Sequence, residues 1–319
     1  MKATFTFPAF LLALLALLPG TRVSAQQDAQ YTQFIFNKLG YNPGFAGAVE
    51  SGEISVIARR QWFGLAGAPS SQIATFNTAF ADQRSGVGLR LSQVSVGLEQ
   101  QLNADVSYAY GFPIGPGVRM GLGISASARY FRIDYQNARP VQGGGVDTAI
   151  PGAASSKVVP NFGAGVYVNG RKFYVGLSTP RLLQNNLDLG TDETIIAREA
   201  RHYYFMGGLK IPLGESVKMQ PQALVKYLPN APFDADLNLL FYFGENVFAG
   251  GGYRVGGDGS GESANVLFGA ILAQHITFSF AYDLGLSQLN TDQGGSLEGM
   301  VMYSFGRRGS GSVIDPRDL

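Results

Sequence analysis

The fold is decided by a stretch of alternating polarity at residues 118–131, which reads VRMGLGISASARYF. One set of alternate positions is apolar and consists of Val118, Met120, Leu122, Ile124, Ala126, Ala128 and Tyr130. The other set is mostly small or polar and consists of Arg119, Gly121, Gly123, Ser125, Ser127, Arg129 and Phe131. A period of two residues is typical of a β-strand, whose side chains point alternately to its two faces. This contrast between the faces favours a wall between lipid and a wet or filled lumen over a dry core.

The same alternation recurs along the chain and predicts about 14 strands of the length that crosses a membrane. They cover residues 53–62, 71–80, 85–93, 101–112, 118–131, 158–169, 172–179, 201–213, 216–228, 233–243, 246–256, 262–273, 275–285 and 296–306.

The connections between these strands support a membrane barrel. Links after even-numbered strands are short, and one of them contains Asn169-Gly170, a strong hairpin signal. Links after odd-numbered strands are usually longer, above all residues 133–157 and 180–200. Outer-membrane barrels have short periplasmic turns and longer external loops. An even strand count therefore predicts that both mature termini lie in the periplasm.

The composition agrees with this class of protein. Only 15% of the residues are charged, against about a quarter in soluble proteins. An exported chain of this kind without a long apolar helix can still span a membrane as a closed barrel. We therefore predict an all-β outer-membrane barrel over residues 51–306, in contact with membrane lipid. The alternative is a large soluble β-sandwich, but aromatic residues at strand ends, such as Tyr108, Tyr110 and Phe112, favour the barrel. The net charge of +1 argues against a nucleic-acid partner.

The two ends of the chain predict export and a short extension. Residues 1–25 combine Lys2, an apolar run and the small-residue site Val23-Ser24-Ala25, and they predict a secretory leader. The alternative is a membrane anchor, but the apolar run is shorter than the roughly 20 residues that span a bilayer. Residues 307–319 are polar and rich in Gly and Ser, and they predict a flexible periplasmic tail.

Residues 26–50, between the leader and the first strand, are rich in aromatic side chains. These are Tyr31, Phe34, Phe36, Tyr41 and Phe45. They carry too much apolar surface for a solvated tail. A barrel of about 14 strands also encloses more space than its own side chains fill, since roughly eight strands is the filled size. We therefore predict that this segment folds back into the lumen as a plug.

Two motifs near the start of the mature chain resemble the PorP/SprF family of Bacteroidota. They are QYTQFIFNKLGYNPGFAG at residues 30–47 and RRQWFGLAGAPSSQIATFN at residues 59–77. Proteins of that family are outer-membrane components of type IX secretion and gliding. The resemblance implies a barrel that binds, anchors or assists delivery of exported surface proteins carrying a type B C-terminal signal. It also implies contacts with periplasmic or outer-membrane type IX components.

Two sets of candidate residues follow. The partner-binding or plug candidates come from both motifs and from the loop 180–200: Tyr31, Gln33, Phe34, Phe36, Asn37, Asn42, Pro43, Phe45, Gly47, Arg59, Arg60, Gln61, Trp62, Gly67, Pro69, Arg181, Leu182, Leu183, Ile195 and Ile196. The charged residues predicted to face the lumen are Asp105, Arg119, Arg129, Lys218, Lys226, Asp234, Asp236, Arg254 and Asp283. The lumen charges form either a self-paired network that stiffens the wall or a binding wall for a peptide.

The start of the second motif predicts opposite directions for two neighbouring arginines. Alternation places Arg60 and Trp62 on the lipid-facing side, where an arginine near the interface can reach lipid phosphates. Arg59 and Gln61 then point inward, towards the aromatic N-terminal segment.

The sequence offers no catalytic constellation. His202 and His275 lack a Ser, Cys or carboxylate partner at a recognisable motif spacing, and metal or cofactor motifs are absent from the sequence. We predict no enzymatic activity, no cofactor and no metal. The alternative to an interaction protein is a plugged transport channel for a small or hydrophobic solute, which the same fold permits.

Overall fold

The computed structural model describes residues 30–49, 52–135, 153–188, 198–229, 233–256, 262–286 and 294–305. The predicted leader, the predicted tail and the central parts of the two longest loops lie outside these residues. Three short 3-10 helices precede the first strand, at Thr32–Phe36, Lys38–Gly40 and Pro43–Phe45. In the described part of the chain, no helix has the length and apolar character needed to cross a membrane.

The remaining elements are antiparallel strands. Their bounds are β1 Gly52–Arg60, β2 Ser70–Ala79, β3 Ser85–Val96, β4 Glu99–Gly115, β5 Val118–Ile133, β6 Ser155–Asn169, β7 Phe173–Thr179, β8 Tyr203–Leu209, β9 Ile211–Pro212, β10 Val217–Tyr227, β11 Asp234–Phe243, β12 Val247–Gly256, β13 Ser263–Leu272, β14 Ile276–Gly285 and β15 Ser296–Phe305.

The sheet closes on itself. Each strand pairs with its neighbours in sequence, and β1 pairs with β15 from Gly52 opposite Phe305 to Arg60 opposite Leu297. β8 and β9 both pair with β10 and are separated only at Lys210, so together they act as one interrupted strand of the barrel. The described residues therefore form a closed antiparallel barrel of 14 strands, counting β8 and β9 as one, which confirms the prediction of an all-β barrel of about 14 strands. The soluble-sandwich alternative is wrong, because a sandwich needs two separate sheets.

Several predicted strand ends need correction. β1 ends at Arg60 rather than at Trp62, whose backbone takes a left-handed conformation with φ of 51° that an extended strand does not allow. β4 continues to Gly115 through a register shift after Pro113. β6 begins at Ser155, where it pairs with Ile133 of β5. The predicted strand 201–213 is interrupted at Lys210.

The two faces of the wall follow the predicted alternation. Large apolar side chains on the outer face are exposed, including Ile54, Val56, Leu91, Leu102, Val106, Ile124, Val158, Phe162, Leu177, Phe205, Leu237, Val266, Phe268, Phe280 and Val301. Ile124 is 65% exposed, a degree of exposure that repeated around a soluble protein would drive aggregation. Inward positions on the same strands are largely Ser, Thr, Asn, Gly and charged residues, and they are buried. The apolar belt therefore surrounds a polar interior, as in a membrane barrel.

The N-terminal segment, residues 30–49, lies against inward-facing residues of the wall. Residues 31–35 and 37–49 are buried, and their apolar side chains form one cluster with inward-facing aromatic residues of β6, β7, β8 and β12. A smaller cluster joins Tyr31 to inward-facing side chains of β1, β2 and β15. The core of this protein therefore lies inside the barrel rather than within the sheet.

Candidate functional site

The candidate site is the surface between the N-terminal segment, residues 30–49, and the inner wall. The segment turns tightly because of its motif NPG. Asn42 has an extended backbone, its Oδ1 accepts the N–H of Gly44 at 2.8 Å, and Pro43 takes the first helical position. Asn and Pro are favoured at these two positions of a helix start. These residues therefore form a compact turn. The Nδ2 group of Asn42 is not used within the turn and can donate a hydrogen bond to the wall.

This turn packs closely against glycines of the wall. Asn42 Nδ2 donates to the carbonyl of Val166 at 2.9 Å. A Cβ on Gly123 would overlap the backbone of Pro43 and Gly44, and a Cβ on Gly165 would overlap Asn42 Oδ1. Glycine is required at these strand positions because another backbone passes where a side chain would lie.

A second close approach fixes the end of the segment. Gly47 has φ of 68°, and its N–H donates to Asn77 Oδ1 at 2.8 Å. Its Cα lies where a Cβ of Gly86 would be, so the two backbones touch. Arg119 donates to the Gly47 carbonyl at 2.9 Å. The carbonyls of Gly40 and Tyr41 are bound in the same way, by Arg90 and Ser178, each at 2.7 Å.

The beginning of the segment is held by a carboxylate. The helix Thr32–Phe36 has no capping side chain of its own. Instead, Glu298 of β15 accepts the backbone N–H groups of Thr32 at 3.0 Å and Gln33 at 2.8 Å. The Thr32 hydroxyl donates to Asp283 at 2.6 Å. These contacts satisfy N–H groups that a helix start leaves open, with charge-assisted hydrogen bonds.

The same carboxylates belong to a buried charge network. Arg59 Nη2 lies 2.5 Å from Asp283, and Arg59 Nη1 lies 3.0 Å from Glu298. Arg254 lies 3.8 Å from Asp283 and also pairs with Asp236. Asp236 in turn lies 2.9 Å from Lys226. Three cations thus face three carboxylates, which offsets much of the cost of burying each charge.

Aromatic packing completes the contact surface. Phe45 packs edge-on against Tyr167 at 5.1 Å, Tyr41 against Tyr204 at 5.5 Å, and Phe36 lies 5.4 Å from Phe248. The Lys38 ammonium sits 4.2 Å from the centre of the Tyr174 ring, a cation–π contact that lets this lysine be buried. Each large apolar side chain buried in this way contributes about 1.5–3 kcal/mol.

Burial also changes the acidity of two tyrosines in the segment. It raises the pKa of Tyr31 to about 12. It raises the pKa of Tyr41 as well, and the nearby Asp236 carboxylate adds to that effect. Both groups are therefore neutral over the physiological range.

The residues of the second motif separate into two locations. Arg59 points inward to the charge network. Arg60 is exposed on the outer face, with its guanidinium 5.8 Å from the centre of the Phe63 ring. Gln61, Trp62, Gly67 and Pro69 lie in the β1–β2 loop, where the N–H of Gln61 donates to the Pro69 carbonyl and Gly67 accepts the N–H of Gly97. These four residues form part of the rim of the barrel on the side of the long loops.

The predicted residues of the loop 180–200 are divided in the same way. Arg181 is buried and lies 3.3 Å from Glu199, which also pairs with Arg129 at 3.4 Å. The N–H of Leu182 donates to the Phe162 carbonyl and that of Leu183 to Asn161. Leu183 keeps 42% of its surface exposed. Ile195 and Ile196 lie outside the described residues.

The predicted lumen charges occupy inward positions of the wall, and most of them have partners. Arg129 donates to Asn103 at 2.8 Å, Asp105 lies 3.4 Å from Arg90, and Asp234 accepts from Gln30 at 3.2 Å. Lys218 stands opposite Tyr242 on β11. The remaining members of the set belong to the network and to the Gly47 contact described above. Most of these residues therefore lie beside an oppositely charged side chain.

Four charged residues of the site were not among the sequence candidates: Lys38, which lies inside the first motif, Arg90, Glu199 and Glu298. Arg90 and Glu298 lie within predicted strands at positions that alternate with the apolar face, so the same alternation could have identified them. Glu199 lies in a loop, where no periodicity indicates its direction.

The two histidines each bind a backbone carbonyl. Nδ1 of His202 donates to the Ala200 carbonyl, and Nδ1 of His275 donates to that of Ser304.

The closed wall, apolar belt and polar interior define an outer-membrane β-barrel, and the solved structure of CymD shares this fold. CymD, a monoaromatic hydrocarbon channel, matches with a TM-score of 0.53 at 10% identity, over 90% of this chain and 96% of that one. A Pseudomonas aeruginosa FadL homologue matches with a TM-score of 0.47 at 10% identity, over 83% and 93%. No curated protein matches.

The profile of the family described as "Type IX secretion system membrane protein PorP/SprF" matches residues 23–303, so the chain belongs to that family. The family identified from the two motifs is thereby confirmed.

Proposed function

We propose that this type IX-associated barrel is a closed docking protein: residues 26–47 plug its lumen, and its loop-side rim binds an exported surface protein. The observation that carries the proposal is the fixation of the N-terminal segment on all sides of the interior. Glu298, Asn77 and Ser178 bind its backbone at three separated points, from β15, β2 and β7. A filled interior favours a rigid binding surface over an open conduit.

The proposed orientation places the short turns and both mature termini in the periplasm. The long connections at residues 61–69, 134–154, 180–202 and 286–295 share one rim, and long loops are external in barrels of this class. External protease on intact cells should cut within 133–157 or 180–200 before it cuts the tail. Cleavage first at Arg307-Arg308 in intact cells would reverse the orientation.

The proposed partner is an exported surface protein with a type B C-terminal signal, which family membership favours. The loop 180–202 offers a preformed contact surface, because Glu199 near its end binds Arg181 and Asn185 near its start and also Asn161 of β6. Between these anchors Leu183 presents an exposed apolar side chain. Periplasmic or outer-membrane type IX components would bind on the opposite rim, beside the short turns.

Affinity capture tests this assignment directly. The tagged barrel, isolated from its own envelope, should bring down one or more large surface proteins. Replacing residues 180–200 by a tight turn, or Leu183→Ser alone, should reduce that capture and release the partner from the cell surface while the barrel still assembles. Leu286→Ser is the matched control, because Leu286 is exposed at another loop of the same rim. Unchanged capture by the shortened barrel would refute loop binding.

A further inference from the structure

The lipid-facing wall carries an apolar groove across four neighbouring strands. Its volume is about 590 Å³, which lies within the roughly 300–1,000 Å³ of pockets that bind small ligands. Its lining comes from β8, β10, β11 and β12 and includes no charged residue.

The groove arises from small residues at outward positions on two successive rungs of the sheet. Ala223 pairs with Gly207 on one side and Leu237 on the other, and the neighbouring Pro221 pairs with Leu239. Gly207, Pro221 and Ala223 leave a shallow floor. The flanking side chains that form its sides are exposed: Leu209, Leu237, Leu239 and Tyr253.

The floor of the groove is closed towards the lumen. Gln222, which lies between the two small residues of β10, points inward and accepts the Tyr174 hydroxyl at 2.8 Å. Asn238 also points inward and donates to the Thr32 carbonyl at 3.1 Å. An occupant therefore enters from the membrane side, where the surrounding surface is apolar on the neighbouring strands as well.

A basic turn stands at one end of the groove. Leu209 pairs with Phe173, and the next residue, Lys210, donates its N–H to the Lys172 carbonyl at 2.8 Å. Arg171 and Lys172 are exposed in this turn, at the short-turn rim of the barrel. A lysine at the membrane surface attracts lipid phosphates.

We propose that the groove binds one glycerophospholipid, with an acyl chain along Gly207, Pro221 and Ala223 and its phosphate at Lys172. An acyl chain fits a site that lies in hydrocarbon and carries no charge, and the adjacent cation complements the headgroup. The choice of a glycerophospholipid over lipid A rests on the proposed periplasmic position of the short turns. A bulky side chain of a membrane partner is the competing occupant.

Native mass spectrometry of the purified, delipidated full-length barrel tests this site, with palmitoyl-oleoyl phosphatidylethanolamine as the probe. The wild-type protein should bind one molecule with saturable affinity. Ala223→Leu and Gly207→Leu should each weaken binding at least tenfold by filling the floor. A Cβ at Gly207 meets only the Tyr174 carbonyl at 3.5 Å, an ordinary contact, so a side chain can begin there without moving the backbone of the wall. Lys172→Gln should weaken binding several-fold, and Lys172→Arg should preserve it.

The matched control is Ala126→Leu, because Ala126 is an exposed alanine on the outer face of β5 away from the groove. It should bind the probe as the wild type does. Equal binding by all variants would overturn the proposal, and so would equal binding of a diacylglycerol, which lacks the phosphate. Tighter binding of lipid A would overturn the choice of lipid and the proposed orientation together. Partner capture is measured separately, so its failure leaves this test unaffected.

Discussion

The Arg59 guanidinium lies 3.0 Å from the Glu298 carboxylate in the interior of the barrel, and both side chains are buried. Arg59 belongs to β1 and Glu298 to β15, the two strands that close the sheet. Glu298 also accepts backbone N–H groups of Thr32 and Gln33. One carboxylate therefore pairs with a residue of the neighbouring strand where the barrel closes and also binds the backbone at the start of the N-terminal segment.

Glu298→Gln should loosen the segment. The variant removes the charge that Arg59 pairs with and weakens two charge-assisted hydrogen bonds, and disruption of such a buried network costs roughly 3–5 kcal/mol. Hydrogen exchange followed by mass spectrometry should show faster exchange within residues 30–37. Glu199→Gln is the control, because Glu199 is also buried but binds Arg129 and Arg181 on the loop side. Equal acceleration of residues 30–37 in both variants would contradict a specific role for Glu298.

Gly123→Ala should displace the NPG turn. Its new Cβ would overlap the Pro43 carbonyl, a backbone atom that cannot move by rotating a side chain. Overpacking of this kind costs about 1–3 kcal/mol, which should appear as faster exchange at residues 42–45. Gly207→Ala, another glycine within a strand, has room for its Cβ and should leave that exchange unchanged. Undisturbed exchange at residues 42–45 in Gly123→Ala would mean that the turn seats without the glycine.

More of the fold than of the candidate site could be predicted from the sequence. Alternation alone assigned the direction of Leu122 or Arg129, because a strand presents every second residue to the same face. It could not locate the ends of β4 and β6, which depend on pairing with neighbouring strands. The contact between Thr32 and Glu298 joins residues 266 positions apart, and it exists only once the barrel has closed. Periodicity carries no signal for such a contact.

Alkaline pH should release the segment through Tyr31. The ordinary pKa of a tyrosine is about 10, and burial raises that of Tyr31 to about 12. Because the folded pKa is the higher one, the contribution of this burial to stability is fully present below about pH 10. It is lost as the pH rises through about 12. Limited proteolysis of the segment should therefore increase over this interval, and ultraviolet absorbance should record the phenolate. Tyr31→Phe should shift the onset of release to higher pH, and an identical onset would assign the transition to another group.

Deletion of residues 26–47 should convert a silent barrel into a conducting one. A barrel of 14 strands encloses more space than its own side chains fill, so removing the segment should leave a water-filled lumen. In planar bilayers the full-length protein should show near-zero conductance and the deleted protein stable ion-conducting steps. Removal of residues 309–319 is the control, because it shortens the chain at its other end and keeps residues 26–47, and it should conduct no more than the full-length protein. If the deleted protein does not insert, Gly123→Ala in the full-length chain provides the same readout and should raise conductance. Large conductance by the unmodified barrel would refute the plug and favour the transport alternative, whereas silence in every variant would mean that other parts of the chain close the lumen.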